Sequence, residues 1–155
     1  GMILDYWGPR RLNHHTEATS MLYAARECAR LLVVEGVEGA VDRHRRNGAA
    51  LAAGLEGLDL RLYGDQAHRM HNVLAVHIPD GVDGDAVRAE LLETHGIEIG
   101  TSFGPLHGRV WRVGTMGVNA RPEPVLRTLE ALGRVLGRTG GVEAATAQYD
   151  QEAHP

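Results

Sequence analysis

Apolar residues recur with a helical period over long stretches of this chain and with an alternating period over short ones. The spacing predicts helices over about 17–35, 37–58, 85–95 and 122–136, and strands over 60–64, 72–79, 97–100 and 109–117. Glycines such as Gly36 and Gly96 stand where the helical patterns stop. This order of elements predicts an α+β fold, with a mostly antiparallel sheet, helices on one face of it and a long helix in front.

The first two helical patterns each predict one buried stripe. Gly48 and Gly54 lower the helix propensity of the second pattern, although the spacing favours one continuous helix. The single cysteine, Cys28, lies in the first stripe, which predicts a small buried hydrophobic residue and excludes a disulfide within the chain. The predicted stripes comprise Met21, Leu22, Ala25, Cys28, Ala29, Leu32 and Val33 in the first helix and Val41, Leu51, Leu55 and Leu58 in the second.

Charge and hydropathy argue against two classes of partner. The formal net charge is −4 and no sustained basic run is present, so the footprint of a nucleic-acid-binding protein is absent. No apolar run approaches the roughly 18 residues of a membrane span, and no signal-peptide pattern precedes the first helix. The sequence therefore predicts a cytoplasmic protein without a nucleic-acid or membrane partner.

Lysine is missing from the composition, because all 16 residues counted as lysine or arginine are arginines. Chemistry that needs a primary side-chain amine, such as a Schiff base with a carbonyl cofactor, cannot be performed by these residues alone. We therefore expect no catalytic amine within the chain.

A polar loop of Asn13, His14, His15 and Thr16 stands directly before the first predicted helix. A helix start exposes unpaired N–H groups and the positive end of the dipole, so Thr16 or Thr19 as a cap would complete a cradle for an anion. The simpler alternative is that Thr16 only caps its helix while the histidines pack or face water. The local sequence leaves both interpretations open.

Arg112 lies in the strand pattern "RVWRVG". Alternation sends Val110 and Arg112 to one face of the sheet and Trp111 and Val113 to the other. An arginine in such a position either forms an ordinary salt bridge on the sheet face or binds an anionic ligand.

His68 and His71 in "HRMH" have a spacing that can be mistaken for a metal site. No carboxylate or cysteine stands at a useful interval from them, and the segment has the pattern of a loop. We therefore expect no metal site.

Two segments carry the most specific pattern in the chain, "LNHHTEATSMLYAARECARLL" and "GIEIGTSFGPLHGRVWRVGTMGVNARPEPVLRTLEAL". With a His-His-Thr before a long helix and an Arg-Val-Gly strand later, they resemble the C-terminal part of class V pyridoxal-phosphate aminotransferases of the alanine-glyoxylate and serine-glyoxylate branch. The resemblance covers nearly the whole chain. It implies the small C-terminal domain of a fold-type I pyridoxal-phosphate-dependent transferase.

The resemblance implies roles for three residues. In that family the threonine of the His-His-Thr loop reaches across a dimer interface to the phosphate of pyridoxal 5'-phosphate in the neighbouring subunit. Thr16, with His15 beside it, would then contribute to cofactor binding in a homodimer. The family's arginine of the Arg-Val-Gly strand holds the substrate carboxylate, a role that falls on Arg112. A planar guanidinium suits it, because it offers two parallel donors to two carboxylate oxygens.

One position separates branches of the family. Alanine-glyoxylate enzymes typically carry tyrosine before His-His-Thr, whereas this chain has Asn13, as the ureidoglycine-glyoxylate aminotransferases of purine breakdown do. An amide offers both a donor and an acceptor to the ureido group of the amino donor. The resemblance thus implies amino transfer from ureidoglycine to glyoxylate, with an alanine- or serine-glyoxylate enzyme as the alternative.

The resemblance also implies a large N-terminal domain that this chain does not contain. In the family that domain holds the cofactor ring and the Schiff-base lysine. We expect 1–35 to form an interface loop and a linking helix, 36–137 an α+β small domain and 138–155 a frayed C-terminal tail, which together are inactive alone. The second hypothesis is a dimerising or small-molecule-binding module without catalysis.

Overall fold

A computed structural model of the chain describes Leu4, Gly8, Pro9 and residues 16–153. The chain divides into two compact units, Gly1–Val37 and Glu38–Pro155. The described helices are α1 (Thr19–Glu35), α2 (Val37–Gly57), α3 (Gly84–His95), α4 (Pro122–Leu136) and α5 (Gly141–Ala153), and the strands are β1 (Val73–His77), β2 (Gly100–Thr101) and β3 (Val110–Gly114). The predicted α+β class is confirmed.

The three strands form one antiparallel sheet in the order β1, β3, β2. The predicted strand at 60–64 is reduced to a single bridge between Leu62 and Val76, because Gly64 at φ 89° turns the chain away. The strand predicted at 97–100 begins only at Gly100, since the Ile97 N–H closes the end of α3 by donating to the carbonyl of Leu91. The sheet is antiparallel, as the sequence predicts.

One face of the sheet is packed against α2, α3 and α4. Trp111 and Val113 of β3 are buried on this face and Arg112 between them is exposed, as the predicted alternation requires, although Val110 is buried as well. The Trp111 indole N–H donates to the carbonyl of Gly84 at 3.1 Å, which satisfies its only polar atom. Further core residues from the strands and helices are Leu74, Val76, Leu51, Leu55, Val87, Leu91, Val125, Leu129 and Leu132.

Local capping explains where the helices start and stop. Asp83 caps α3, because its carboxylate accepts from the backbone N–H groups of Asp85 and Ala86. The helix ends at Gly96, which adopts the left-handed conformation with φ 64°. Pro122 opens α4, where its missing N–H costs no intrahelical hydrogen bond.

Gly48 and Gly54 inside α2 are sites of close approach. A Cβ built on Gly48 would lie 2.1 Å from the carbonyl oxygen of His71, and one on Gly54 would lie 2.2 Å from Cδ1 of Leu129. The helix is continuous as predicted, but Val41 is 56% exposed, so its predicted burial is wrong. The reason is that the first turns of α2 contribute only Ala40 to the buried residues, and regular burial begins at Asn47.

The segment 138–155 contains the helix α5, so the predicted frayed tail is wrong for residues 141–153. Ala145 of this helix is fully buried, and a Cβ built on Gly141 would lie 3.0 Å from the carbonyl oxygen of Gly54. Small residues therefore allow close backbone approach of this helix, and Val142 and Tyr149 add partly buried contacts with the core.

Helix α1 is formed as predicted, but its predicted stripe is not buried. Met21 is 69% exposed, Val33 is 81% exposed, and the thiol-bearing residue Cys28 is also exposed. Helical periodicity depends on the spacing within a helix, whereas burial depends on another element that covers the stripe.

No helix among the described residues combines the length and hydropathy needed to cross a membrane.

Candidate functional site

Arg112 is at the centre of the sheet face that points away from the core. Its neighbours in register are Ala75 on β1 and Gly100 on β2. Arg112 is exposed while Trp111 and Val113 on either side of it are buried. The small neighbours leave space above the sheet, into which the guanidinium can extend.

Two contacts hold the Arg112 side chain. Its Nε donates a hydrogen bond of 2.8 Å to the carbonyl oxygen of Thr101, and its Cζ lies 5.4 Å from the ring centroid of Phe103. Among the described residues no carboxylate lies within salt-bridge distance of this guanidinium. Within the described residues, Arg112 therefore does not form the ordinary salt bridge that was one of the two interpretations of its sequence position. Its two terminal nitrogens remain available to another acceptor.

Glycines next to Arg112 keep the sheet face open. A Cβ built on Gly100 would lie 3.6 Å from Nε of Arg112, in ordinary van der Waals contact. A Cβ built on Gly114, two residues along β3, would lie 3.2 Å from Cε of Met116. A larger residue at Gly100 would crowd the arginine from the side, so the glycine preserves its freedom.

The turn that follows β3 is attached to α2 by three side chains. Arg43 donates to the carbonyl of Gly117 at 2.7 Å, and Asn47 donates to the carbonyl of Ala120 at 3.1 Å. Nε2 of His44 lies 3.2 Å from the backbone N–H of Gly117, and its Nδ1 lies 2.6 Å from the carbonyl of Ala40. In the arrangement that satisfies both contacts, the Gly117 N–H donates to Nε2 and the Nδ1–H donates to the carbonyl of Ala40.

A second aromatic group lies on the same outer face, beyond Ala75. The rings of Tyr63 and His77 meet edge to face with centroids 5.4 Å apart. Burial lowers the pKa of His77 below its ordinary value of 6.5, and the positive charges of Arg61 and Arg109 lower it further. Arg109 itself is exposed.

Phe103 is the site residue that sequence reasoning missed. It is 76% exposed and precedes a 3-10 turn at Gly104–Leu106, in a segment for which the sequence predicts neither a helix nor a strand. Its position depends on turn geometry, so no periodic pattern could predict it. The signal in the sequence was an aromatic residue among glycines.

At the other end of the described chain, Thr16 is exposed and precedes α1. The N-cap of α1 is Ala18, without a side-chain cap, and the Thr19 hydroxyl donates to the carbonyl of Glu17 at 3.2 Å. The predicted capping by Thr16 or Thr19 is therefore wrong. Asn13, His14 and His15 lie outside the described residues.

His68 contacts a carboxylate that the prediction from the sequence left out. Its Nδ1 lies 2.9 Å from a carboxylate oxygen of Asp65, and both side chains are exposed. Hydrogen bonding to His68 lowers the pKa of Asp65 below its usual value. In residues 16–153 no group of three histidine, cysteine, aspartate or glutamate residues could hold a metal ion.

Comparison with known sequences finds aminotransferases. The chain is 55% identical over 144 residues to (S)-ureidoglycine–glyoxylate transaminase of Bacillus subtilis (strain 168), a match that covers 92% of this chain and 35% of that protein. It is 40% identical over 138 residues to alanine–glyoxylate aminotransferase of Callithrix jacchus, covering 86% and 33%. No family model matches the chain.

Comparison with solved structures agrees. The crystal structure of ureidoglycine-glyoxylate aminotransferase from Bacillus subtilis superposes with a TM-score of 0.87 and 50% identity, covering 96% of this chain and 40% of that one. The chain spans about a third of the length of the curated relatives it matches. By sequence and by fold, it is homologous to the C-terminal part of class V aminotransferases.

Proposed function

We propose that this chain supplies the C-terminal part of a pyridoxal-phosphate-dependent aminotransferase that uses glyoxylate as amino acceptor and ureidoglycine as donor. The single observation that carries the proposal is the geometry of Arg112. Its guanidinium is held at Nε, and no described carboxylate neutralises it. Glyoxylate and the amino-acid donor each carry a carboxylate, which is the group that such an arginine binds.

Arg112 would bind the substrate carboxylate end-on. A guanidinium has five N–H donors, and the Nε–H of Arg112 is already used by the carbonyl of Thr101. The four remaining hydrogens lie on the two terminal nitrogens. One N–H from each of these nitrogens points away from Cζ, and the two N–H groups form a parallel pair that matches the two carboxylate oxygens. This pairing would fix the orientation of donor and acceptor in the same place, as transamination requires.

The start of α1 fits the phosphate of the cofactor. Thr16 is exposed, no acidic residue lies in the first turn, and the N-cap Ala18 has no side-chain cap. The helix start and the Thr16 hydroxyl would together favour a phosphate, an interaction worth about 0.3–1 kcal/mol from the dipole alone. We propose that His15 completes this loop. When bound, pyridoxal 5'-phosphate supplies the aldehyde and the electron sink for amino transfer.

The Schiff-base lysine must come from outside this sequence, which contains none. We propose a large N-terminal domain as its source and a homodimer in which the phosphate contact of Thr16 serves the neighbouring subunit. The proposal places the assembled enzyme in the cytoplasm, in keeping with a lone cysteine, Cys28. The 155-residue chain alone is expected to transfer no amino group.

Ureidoglycine is the preferred donor for two reasons. The relative named for it is 55% identical to this chain, against 40% for the alanine–glyoxylate relative from Callithrix jacchus. Asn13 offers an amide to the ureido group, in keeping with a role in purine breakdown. Alanine or serine as donor is the alternative.

The direct experiment is a chimera in which this chain replaces the matching C-terminal part of the Bacillus subtilis transaminase. We expect cofactor absorbance and amino transfer from (S)-ureidoglycine to glyoxylate, with the intact Bacillus subtilis protein as control. Faster transfer from alanine or serine would support the alternative donor. A folded chimera that binds the cofactor and transfers from none of the three donors would contradict the proposed function and favour a non-catalytic module.

A further inference from the structure

We propose that Phe103 is a positioning residue that holds Arg112 ready for the substrate carboxylate without neutralising its charge. The inference rests on the proposed function, because it assigns Arg112 to a carboxylate. Its geometric basis is independent, since the Cζ of Arg112 lies 5.4 Å from the ring centroid of Phe103 while Nε is bonded to the carbonyl of Thr101. Ring and carbonyl thus restrain the guanidinium from two directions.

The chemistry of these two partners suits an arginine that must bind an anion. An arginine held by a carboxylate would already be paired, and a substrate would have to compete with that partner. A carbonyl and an aromatic face attract the guanidinium through a dipole and a quadrupole, so the full positive charge remains available. In the described part of the chain no carboxylate approaches Arg112 within 4.0 Å.

The backbone around Phe103 is anchored although its ring is 76% exposed. The preceding residue, Ser102, is buried and its hydroxyl donates to the carbonyl of Val110 at 3.0 Å. Nδ1 of His107 lies 3.2 Å from the carbonyl of Ser102, and the Leu106 N–H donates to the carbonyl of Phe103 at 3.3 Å. The loop therefore presents the ring from a fixed base beside β3.

The position of Thr101 is fixed by the sheet itself. Thr101 pairs with Trp111 in the β2–β3 register, and Trp111 is fully buried. The carbonyl that accepts from Arg112 is consequently part of the rigid core edge. Phe103 is the adjustable partner of the pair, so substitution of Phe103 tests the positioning role without disturbing the sheet.

The first measurement uses the 155-residue chain. In ¹⁵N NMR spectra the Arg112 Nε–H signal, assigned by its loss in Arg112→Lys, is expected to be protected from exchange and shifted by the ring current of Phe103. Phe103→Leu should remove the ring-current shift, whereas Phe103→Tyr, which retains an aromatic face, should keep it. An unchanged Arg112 signal in Phe103→Leu would overturn the proposed contact.

The second measurement uses the chimera with the Bacillus subtilis transaminase. Phe103→Leu is expected to raise KM for glyoxylate about fivefold, which corresponds to about 1 kcal/mol, with smaller changes in kcat and in cofactor absorbance. Phe103→Tyr, which retains the aromatic ring, should have a KM within about twofold of that of the parent. Leu92→Ala is the matched control, because it also shortens an exposed apolar side chain, here on α3, and it should leave KM unchanged.

The two measurements separate the two claims. A chimera without amino transfer contradicts the proposed function, while the NMR result still decides whether Phe103 holds Arg112. An active chimera in which Phe103→Leu and Phe103→Tyr give the same KM as the parent would overturn the positioning role and leave the proposed function intact.

Discussion

The hydroxyl of Tyr149 donates a 2.7 Å hydrogen bond to Oδ1 of Asn47, which joins α5 to α2 across 102 residues of sequence. Asn47 is buried, and its amide nitrogen donates to the carbonyls of Arg43 and Ala120. Burial raises the pKa of Tyr149 to about 12, so the phenol remains a donor throughout the neutral range. One buried amide therefore connects the last helix with the turn that follows β3.

Removing the Tyr149 hydroxyl should destabilise the chain. Tyr149→Phe leaves Oδ1 of Asn47 without its donor, so we expect the free energy of unfolding to fall by about 1 kcal/mol in urea denaturation. Tyr63→Phe is the control, because Tyr63 is 42% exposed and its hydroxyl can be solvated in either state. Equal losses in the two variants would contradict the importance of the Asn47 contact.

Gly48→Ala should destabilise the fold even though alanine is the better helix former. The new Cβ would lie 2.1 Å from the carbonyl oxygen of His71, a backbone atom that cannot move aside cheaply. We expect a loss of about 1–3 kcal/mol in chemical denaturation. Gly39→Ala at an exposed position of the same helix should instead stabilise it by up to about 1 kcal/mol. A stable Gly48→Ala variant would show that α2 and the segment at His71 are farther apart.

The pKa of His77, followed by NMR titration, should lie below 6.5. Burial and the charges of Arg61 and Arg109 disfavour the protonated ring, so the unfolded chain binds this proton more readily. The contribution of His77 to stability is therefore present above pH 6.5 and is lost as the pH falls through the lowered pKa. Arg109→Ala should move the pKa upward, and no movement would contradict the contribution of Arg109 and leave burial and Arg61 as the causes.

Asn13→Tyr in the chimera should shift donor preference from ureidoglycine toward alanine. The phenol removes the paired donor and acceptor that an amide offers to a ureido group. Relative kcat/KM for the two donors is the measurement, and Asn13→Gln, which retains the amide, is the control. An unchanged donor ratio would leave Asn13 without a role in donor choice.

The sequence predicts the elements best where periodicity and end signals agree. For α4, the row of Val125, Leu129 and Leu132 lies between Pro122 and Gly137, and the helix has the predicted bounds. β1 is likewise found within its predicted range. In both cases short-range signals determine the element, so no knowledge of tertiary contacts is needed.

Features that depend on tertiary contacts were not predictable in the same way. The buried residues Gly141 and Ala145 of α5 have small side chains, and the partly buried Val142 and Tyr149 make only a short apolar stripe. For the candidate site, alternation places Arg112 on the outer face, but the contacts with Thr101 and Phe103 arise from a loop whose path has no periodic signature. The arginine could therefore be predicted, and its supporting partners could not.

The most direct test of the account is the effect of Arg112→Lys on glyoxylate binding by the chimera. Lysine keeps the charge but not the forked pair of donors, so KM for glyoxylate should rise at least tenfold while cofactor absorbance is unchanged. Arg109→Lys, at an exposed position three residues earlier, should leave both values as they are. Equal KM values in the two variants, or loss of cofactor with Arg112→Lys, would contradict the assignment of the substrate carboxylate to Arg112.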